Sequence, residues 1–363
     1  IKRLENSGDS ATREALLQDY RFDGLETCAT DGMCATTCPV GINTGDLVKR
    51  LRAENHSPLQ NKMALRAAKN FGLLEDVARL GVRSGKLFNS LFGENFMRSL
   101  TEFLPAMPLW SNYISKPPKL KKISVENPSV LYFTSCISRM MGGEIVDLFK
   151  SVCKKANIKF SLLTESKGTC CGQIFSSKGF NEAFIFMANS TIEKLWKDSD
   201  EGKIPIVLDV TSCTQTLKSC RNYLTEENQK RFDKLQILDI IDFAADYVLP
   251  NLKITDPKEK IVFHPTCSTT KLGLIGKLKK IGEACAKQAD IPIFANCCGM
   301  AGDRGFYYPQ LTSSATKNEV SEVISTKYNG YYSTAKTCEI ALSESSGENY
   351  ESILKLLDEV STG

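Results

Sequence analysis

The chain has 363 residues, of which 42% are hydrophobic and 24% are charged, as is typical of globular proteins. Its 46 Lys and Arg against 42 Asp and Glu leave a net charge of +4, a surplus too small to favour nucleic-acid binding. The sequence has no recognisable secretory signal and no apolar run of the roughly 18 residues that a membrane span needs. Without a secretory signal, its 14 cysteines argue against a disulfide framework and favour metal chemistry in a reducing compartment such as the cytoplasm.

The strongest local motif is LETCATDGMCATTCPVG, which follows a polar helix predicted over residues 1–20. Cys28, Cys34 and Cys38 match the bacterial ferredoxin spacing C-x2-C-x2-C-x3-C-P, but Asp31 stands where the second cysteine belongs. An aspartate can ligate iron through oxygen, or it can leave the cluster one iron short, so both [4Fe-4S] and [3Fe-4S] forms are expected. A structural zinc site is the alternative, and its usual ligand spacing fits less well.

Cys38 lacks a second cluster to ligate within this sequence. In two-cluster ferredoxins the cysteine before proline ligates the other cluster, and only one such motif is present here. The sequence also begins at Ile1, within helical sequence, instead of at a methionine. We therefore expect the chain to be part of a longer polypeptide, with the partner motif upstream of Ile1.

Apolar residues recur at three- and four-residue steps from Thr44 to about Tyr113, which predicts amphipathic helices. Residues 115–129, SKPPKLKKISVENPS, are rich in proline, lysine and serine and predict a linker. The sequence thus divides into a helical iron–sulfur domain over residues 1–114, the linker over 115–129, and two further units over 130–250 and 251–363.

These two units repeat one another. VLYFTSCISRMMG matches IVFHPTCSTTKLG, GTCCGQIFSSKGF matches NCCGMAGDRGF, and DVTSCTQTL matches TAKTCEIAL. Each unit therefore carries the order Cys, Cys-Cys-Gly, Cys. The cysteines at these matched positions are the candidate cofactor ligands: Cys136, Cys170, Cys171, Cys213, Cys267, Cys297, Cys298 and Cys338.

Vicinal cysteines seldom form a disulfide with each other, because the small ring strains the S–S torsion. Thiolates delivered from three loops suit a soft metal or an iron–sulfur cluster, and a following glycine allows a tight turn beside a bulky ligand. The alternative is that the cysteines only fill the core. That reading is preferred for Cys153, Cys220 and Cys285, which lie on predicted helices outside the repeated motifs.

Each unit alternates strand-like and helical sequence, which predicts a parallel α/β sheet with right-handed crossovers. The predicted strands include VLYFT, KFSLL and IPIVLDV in the first unit and IVFH, IPIFA and GYYS in the second. Open α/β sheets build their sites at the carboxyl ends of strands, so the thiols should converge there. His264 aligns with Phe133 of the first unit, and this difference is the only hint of acid–base chemistry near a metal loop. We prefer to interpret His264 as a packed histidine, or as one that orients a ligand.

At these motifs the chain resembles a known family. TCATDGMCATTCPVGINTGDLVKRLR, HPTCSTTKLG and CCGMAGDRGF look like the C-terminal iron–sulfur half of bacterial FAD-linked D-lactate dehydrogenases. The duplicated region is also similar to the glycolate oxidase iron–sulfur subunit and to the cysteine-rich subunit of heterodisulfide reductases. The resemblance implies an FAD domain on the N-terminal side that oxidises a 2-hydroxy acid, and an iron–sulfur part that passes electrons to a quinone or cytochrome, in the cytoplasm or at the inner face of the membrane.

The sequence departs from the heterodisulfide reductase pattern at one position in each repeat. The reductase completes each repeat with C-x-x-C, whereas Thr216 and Ala341 occupy the final positions here. No strand-to-helix G-x-G-x-x-G motif occurs, so a flavin site is not expected in this chain. Three functions follow: an electron-transfer module with no bond chemistry of its own, a heterodisulfide-reductase-like subunit, and a zinc-stabilised interaction module.

Overall fold

The computed structural model describes residues 8–104, 107–120, 122–164 and 166–362. Residues 1–7 of the predicted first helix lie outside this range. The remainder of that helix is present, and an Asp9 side chain that accepts from the Thr12 N–H caps its first turn. The N-terminal helices are α1 (Ser10–Tyr20), α2 (Met33–Thr37), α3 (Thr44–Glu54), α4 (Pro58–Lys69), α5 (Phe71–Phe92) and α6 (Phe96–Glu102), with a π-helical turn at Arg21–Glu26.

The N-terminal helices pack on the first repeat. A capping box at Ser57 and Gln60 begins α4, with Pro58 at the first helical position, where its missing N–H is no loss. The neighbouring ring of His56 stacks on Phe180 at 4.0 Å and its Nε2 lies 2.7 Å from the Lys178 carbonyl oxygen. The predicted helical character of this region agrees with the structure, whereas its ferredoxin-like nature stays a prediction.

The first repeat is a parallel α/β unit. Its strands are β1 (Val130–Phe133), β2 (Phe160–Leu162), β3 (Ile206–Leu208) and β4 (Ile237–Asp239), in the spatial order β2-β1-β3-β4. Its helices are α7 (Cys136–Met141), α8 (Ile145–Lys155), α9 (Gln173–Lys178), α10 (Asn181–Asp198), α11 (Thr211–Lys218), α12 (Glu226–Phe232) and α13 (Ile240–Phe243), with a π-helical turn at Ala244–Val248 and 3-10 turns at Arg221–Tyr223 and Leu249–Asn251.

The second repeat has the same topology. A short strand β5 (Lys253–Ile254) precedes β6 (Lys258–Phe263), β7 (Ala286–Asp290), β8 (Gly330–Ser333) and β9 (Tyr350–Ser352), which form a parallel sheet in the order β7-β6-β8-β9, and β10 (Ser361–Thr362) pairs antiparallel with β5. The helices are α14 (Cys267–Lys271), α15 (Ile275–Cys285), α16 (Arg304–Tyr307), α17 (Pro309–Ile324), α18 (Lys336–Ser346) and α19 (Ile353–Glu359).

Strands β1 and β3, at the centre of the first sheet, are apolar throughout, because helices cover both faces of that sheet. Every residue of β1 and β3 is buried. The rings of Tyr132 and Phe149 stack at 3.8 Å in the core that the two repeats share. Cys153, Cys220 and Cys285 are at most 1% exposed and belong to the hydrophobic cores, which confirms their predicted packing role.

One predicted strand is wrong. The apolar stretch IPIFA, residues 291–295, forms no strand, and the strand lies just before it at Ala286–Asp290. This strand is at the edge of the sheet, where Lys287 and Gln288 can face water. Ile293 is 88% exposed, so its hydrophobicity gave a false signal of burial. Of the described helices, none is both long and apolar enough to cross a membrane.

Candidate metal centre

The cysteines of the first repeat lie at the carboxyl edge of its sheet. Cys136 is the first residue of α7, after β1, and Cys213 lies in the first turn of α11, after β3. Cys170 and Cys171 lie on the loop between β2 and α9. The sheet topology therefore delivers thiols from three separate loops to one place, as the sequence predicts.

The four thiols of this repeat contact one another in series. The Sγ atoms of Cys136 and Cys170 are 3.3 Å apart, and further thiol–thiol hydrogen bonds join Cys170 to Cys171 and Cys171 to Cys213. Three of the four residues are at most 7% exposed. The hydrogen bond to Cys170, together with burial, raises the pKa of the Cys136 thiol well above its ordinary value.

The second repeat presents the same four positions. The Sγ atoms of Cys298 and Cys338 are 3.2 Å apart, and a thiol–thiol hydrogen bond joins Cys267 and Cys297. The hydrogen bond with Cys338 and the neighbouring His264 lower the pKa of Cys298 to about 7, against the effect of burial. This set is more open than the first, because Cys267 and Cys297 are only partly buried.

The backbone conformation after each vicinal cysteine pair favours glycine. Gly172 and Gly299 have φ values of +86° and +72°, in the left-handed region that side chains disfavour. A Cβ atom at Gly172 would lie 2.7 Å from the Phe184 ring, and one at Gly299 would lie 2.5 Å from the Leu311 carbonyl oxygen. A larger residue at either position would force the loop or these neighbours to shift.

Buried polar groups hold the loop that carries Cys136. Ser135 caps α7, and its backbone N–H donates to Asp209 at 2.9 Å. The Tyr132 hydroxyl donates to the other oxygen of the same carboxylate at 3.1 Å. The sequence offered no basis for assigning Asp209 a role, and the structure shows that it fixes the backbone directly before the first cysteine.

A buried ion pair lies beneath the first cysteine set. Arg139, which is fully buried, donates to both oxygens of Glu75 on α5, with distances of 2.7 and 2.8 Å. It also donates to the carbonyl oxygens of Thr134 at 2.5 Å and Thr169 at 2.7 Å. These carbonyls lie just before Cys136 and Cys170, so the pair ties both cysteine loops to the N-terminal helices. Sequence reasoning missed this pair because its partners are 64 positions apart.

The second repeat contains a buried histidine. His264 is 1% exposed, and its Nδ1 lies 2.8 Å from the Glu319 carboxylate. Burial lowers the pKa of His264 and Glu319 raises it, with a net increase. Its Nε2 is buried and has no hydrogen-bond partner among the described residues. The histidine is therefore packed and oriented by a carboxylate, the arrangement expected for a histidine close to a metal centre.

The N-terminal cysteines lie in α2 and on the loops beside it. Cys28, Cys34 and Cys38 are partly buried, and Cys34 Sγ accepts a hydrogen bond from the Thr44 hydroxyl at 3.1 Å. Within the described residues they join no group of three ligand atoms lying within 4.8 Å of one another, and neither do the four thiols of either repeat among themselves. The carboxylate of Asp31 instead lies with the thiols of Cys267 and Cys297. A common cluster for the ferredoxin-type set stays a prediction.

Arg52 anchors this N-terminal loop. Its guanidinium donates to the carbonyl oxygens of Leu25 at 2.7 Å, Cys28 at 2.8 Å and Ser177 of α9. Burial lowers the pKa of Arg52 to about 10. The sequence predicted that Arg52 lies on a helix, from the periodicity of α3, but it did not predict the contact of Arg52 with the first repeat.

The donor atoms of both repeats fit a thiolate-ligated metal or iron–sulfur cluster. All the cysteines are free, and buried thiols crowded at 3.2 to 3.3 Å gain little from one another in the neutral form. If a soft cation replaced the thiol protons, each thiolate would gain a stabilising metal–sulfur bond. Thr216 and Ala341, at the positions where a fifth cysteine could stand, are buried and offer no thiol.

The comparisons with known proteins agree with this arrangement. Residues 130–218 and 261–343 match the model of the CCG cysteine-rich domain. A dihydromethanophenazine:CoB–CoM heterodisulfide reductase subunit from Methanosarcina mazei is 22% identical over 334 residues, covering 88% of this chain and 72% of that protein. Its counterpart from Methanosarcina acetivorans is 21% identical over 342 residues, covering 91% of this chain and 75% of that protein. The uncharacterised protein YkgE of Escherichia coli is 25% identical over 213 residues, covering 54% of this chain and 82% of that protein.

The duplication predicted from the cysteine spacing is thus confirmed, since one domain model matches both units. The duplicated domain and the similarity to heterodisulfide reductase subunits support an iron–sulfur oxidoreductase module. The similarity to the two Methanosarcina proteins extends over most of the chain and includes N-terminal helices.

Proposed function

We propose that the chain is the iron–sulfur electron-transfer module of a flavin-dependent 2-hydroxy-acid dehydrogenase of the D-lactate type, and that it passes electrons from FAD to a quinone or cytochrome acceptor. The observation that carries the electron-transfer part is the presence of two matched sets of four thiols on one chain. Clusters bound there would exchange single electrons. The proposed ligands are those eight cysteines, with Cys28, Cys34 and Cys38 as a ferredoxin-type set.

The two thiol sets are close to a direct contact between the repeats. The Thr211 hydroxyl donates to the Thr334 hydroxyl at 2.8 Å, and Thr211 N–H donates to the Thr334 carbonyl oxygen at 3.1 Å. Thr211 lies two positions before Cys213, and Thr334 lies four positions before Cys338. This buried contact supports electron exchange between the repeats, because both thiol sets adjoin the same hydrophobic core.

An exposed apolar face supports a role as part of a larger assembly. On α5, five aliphatic side chains at helical spacing are between 59% and 65% exposed: Leu73, Val77, Leu80, Leu87 and Leu91. Exposed apolar side chains grouped on one helix face are typical of a protein–protein contact. We infer that it docks a partner, which the family resemblance suggests is the flavin domain.

A second function is favoured by the curated relatives. Two of them are named as subunits of a dihydromethanophenazine:CoB–CoM heterodisulfide reductase. A chain of this kind could take part in reducing a mixed disulfide. The residues at the fifth-ligand positions, Thr216 and Ala341, count against cluster chemistry identical to that of the five-cysteine pattern.

Reductive titration of the chain, purified without oxygen, separates these functions. We expect dithionite to bleach its visible absorption reversibly and to produce an EPR signal, since the thiol sets would hold redox-active iron. Reoxidation by an added mixed disulfide would favour the reductase function. A chain that takes up no electrons would contradict both functions and leave the zinc-stabilised interaction module.

A further inference from the structure

One group of side chains links the N-terminal loop to the second repeat. The ligand atoms of Asp31, Cys267 and Cys297 all lie within 4.8 Å of one another, and the described residues contain no other group of three His, Cys, Asp or Glu side chains this close. The three residues come from the loop before α2, the start of α14 and the loop after β7. The fold has therefore brought a hard oxygen donor and two soft sulfur donors together from distant parts of the sequence.

The carboxylate of Asp31 is incompletely satisfied. Its Oδ1 accepts a hydrogen bond from the Met33 N–H at 3.2 Å. Its Oδ2 is buried and has no hydrogen-bond partner among the described residues. A buried carboxylate oxygen without a partner is costly, and a bound cation would remove this cost.

The nearby lysine does not supply that cation. Lys271, at the end of α14, donates its Nζ–H to the backbone carbonyl oxygen of Asp31 at 3.0 Å. This bond fixes the loop on the second repeat and leaves the carboxylate directed elsewhere. Gly32 has a φ of +76°, in the left-handed region that favours glycine, and a Cβ atom there would lie 3.0 Å from Lys271 Nζ.

The first repeat has a different arrangement around its equivalent cysteines. Two buried acidic side chains lie near its thiols, and each already has partners for both oxygens. Those of Glu75 are held by Arg139, and those of Asp209 accept from the Ser135 N–H and the Tyr132 hydroxyl. Carboxylates engaged in this way are poor metal ligands. The acidic donor available for metal binding therefore lies beside the thiols of the second repeat, on the N-terminal loop.

We propose that Asp31 is a metal ligand of the second repeat, and that it binds together with Cys267 and Cys297 one divalent first-row metal ion, either a single ion or one iron of a cluster. Two thiolates and a carboxylate suit zinc and ferrous iron alike. The inference rests on the proposed role of the second repeat as a metal centre. It gives Asp31 a role different from that of a substitute cysteine in the ferredoxin-type set, and it makes the N-terminal loop part of the second site.

The test uses Co²⁺ as the probe, added to the metal-free 363-residue chain, because cobalt bound to thiolate has an intense charge-transfer absorption. We expect Asp31→Asn to weaken cobalt binding at the site with Cys267 and Cys297 by at least about tenfold, the smallest loss seen for groups that only orient a ligand. Asp31→Cys should restore tight binding with a stronger charge-transfer band. Cys267→Ser should weaken binding and lower that band.

Asp46→Asn is the matched control, since Asp46 is an exposed carboxylate on the neighbouring helix α3 that contacts Lys49 and Asn43. It should leave cobalt binding unchanged, and circular dichroism checks that each variant is folded. Equal affinity in folded Asp31→Asn and wild-type chains would overturn the inference, as would wild-type chain that binds no cobalt through Cys267. Suppose that Asp31→Asn and wild-type chains bind cobalt equally well, but the chain purified with its native metal contains iron and takes up electrons. The proposed function then stands, while the role of Asp31 fails.

Discussion

Replacing Cys171 or Cys298 with serine is expected to remove about half of the iron and sulfide bound by the two repeats, since each variant disables one of two independent thiol sets. Cys171 contacts Cys170 and Cys213, and Cys298 lies 3.2 Å from Cys338, so neither site keeps its full complement of soft ligands. Iron and acid-labile sulfide analysis of the purified variants measures the effect. The double variant should lose the iron of both repeats.

Cys153 and Cys285 offer matched controls, one in each repeat. Both lie near the ends of equivalent helices, both are at most 1% exposed, and burial raises the pKa of each to about 12. Cys153→Ser and Cys285→Ser should therefore retain wild-type iron even if they are less stable. Iron loss in the control variants equal to that in Cys171→Ser would contradict the assignment of ligands, because it would show that any core cysteine has the same effect.

Removing one partner of the buried Glu75–Arg139 ion pair is expected to lower the stability of the fold strongly. Glu75→Gln leaves the buried guanidinium of Arg139 without its counter-charge, and we expect the free energy of unfolding to fall by about 3 to 5 kcal/mol. Chemical unfolding of the metal-free chain measures this without interference from bound metal. Because Arg139 also holds the carbonyl groups before Cys136 and Cys170, the same variant should bind less metal in the first repeat than in the second.

Two comparisons make this prediction specific. Asp233→Asn removes the partner of Arg221 from an exposed pair with similar geometry, at 2.7 and 2.8 Å, and should change stability far less. Replacing both charges, as in Glu75→Leu with Arg139→Met, should destabilise the chain by less than the sum of the single changes, since no unpaired charge is left. A change below about 1 kcal/mol in Glu75→Gln would show that the buried pair does not hold the first repeat to the N-terminal helices.

The thiol sets could be predicted from the sequence because their signals are local. The repeated order of Cys136, Cys170–Cys171 and Cys213 is visible in the sequence itself, and strand–helix alternation places all three loops at one edge of a sheet. The strand at Ala286–Asp290 was missed because an edge strand needs only partial burial, so its polar residues gave no strand signal while the exposed Ile293 did.

The surroundings of the thiols depend on contacts between distant segments and were not predictable. Arg139 meets Glu75 across the boundary between the helices and the first repeat. Asp31 occupies a cysteine position in a ferredoxin-like motif, and this local pattern predicted a role in that motif. Its position beside Cys267 follows from how the N-terminal loop docks on the second repeat, which the spacing of the motif does not specify.

The iron, zinc and acid-labile sulfide content of the chain purified without oxygen tests most directly whether the two duplicated cysteine sets hold iron–sulfur clusters. We predict iron and sulfide in comparable amounts, with an EPR signal that appears on reduction or mild oxidation. Zinc without iron or sulfide would contradict the presence of such clusters and would assign the thiols to a structural metal site.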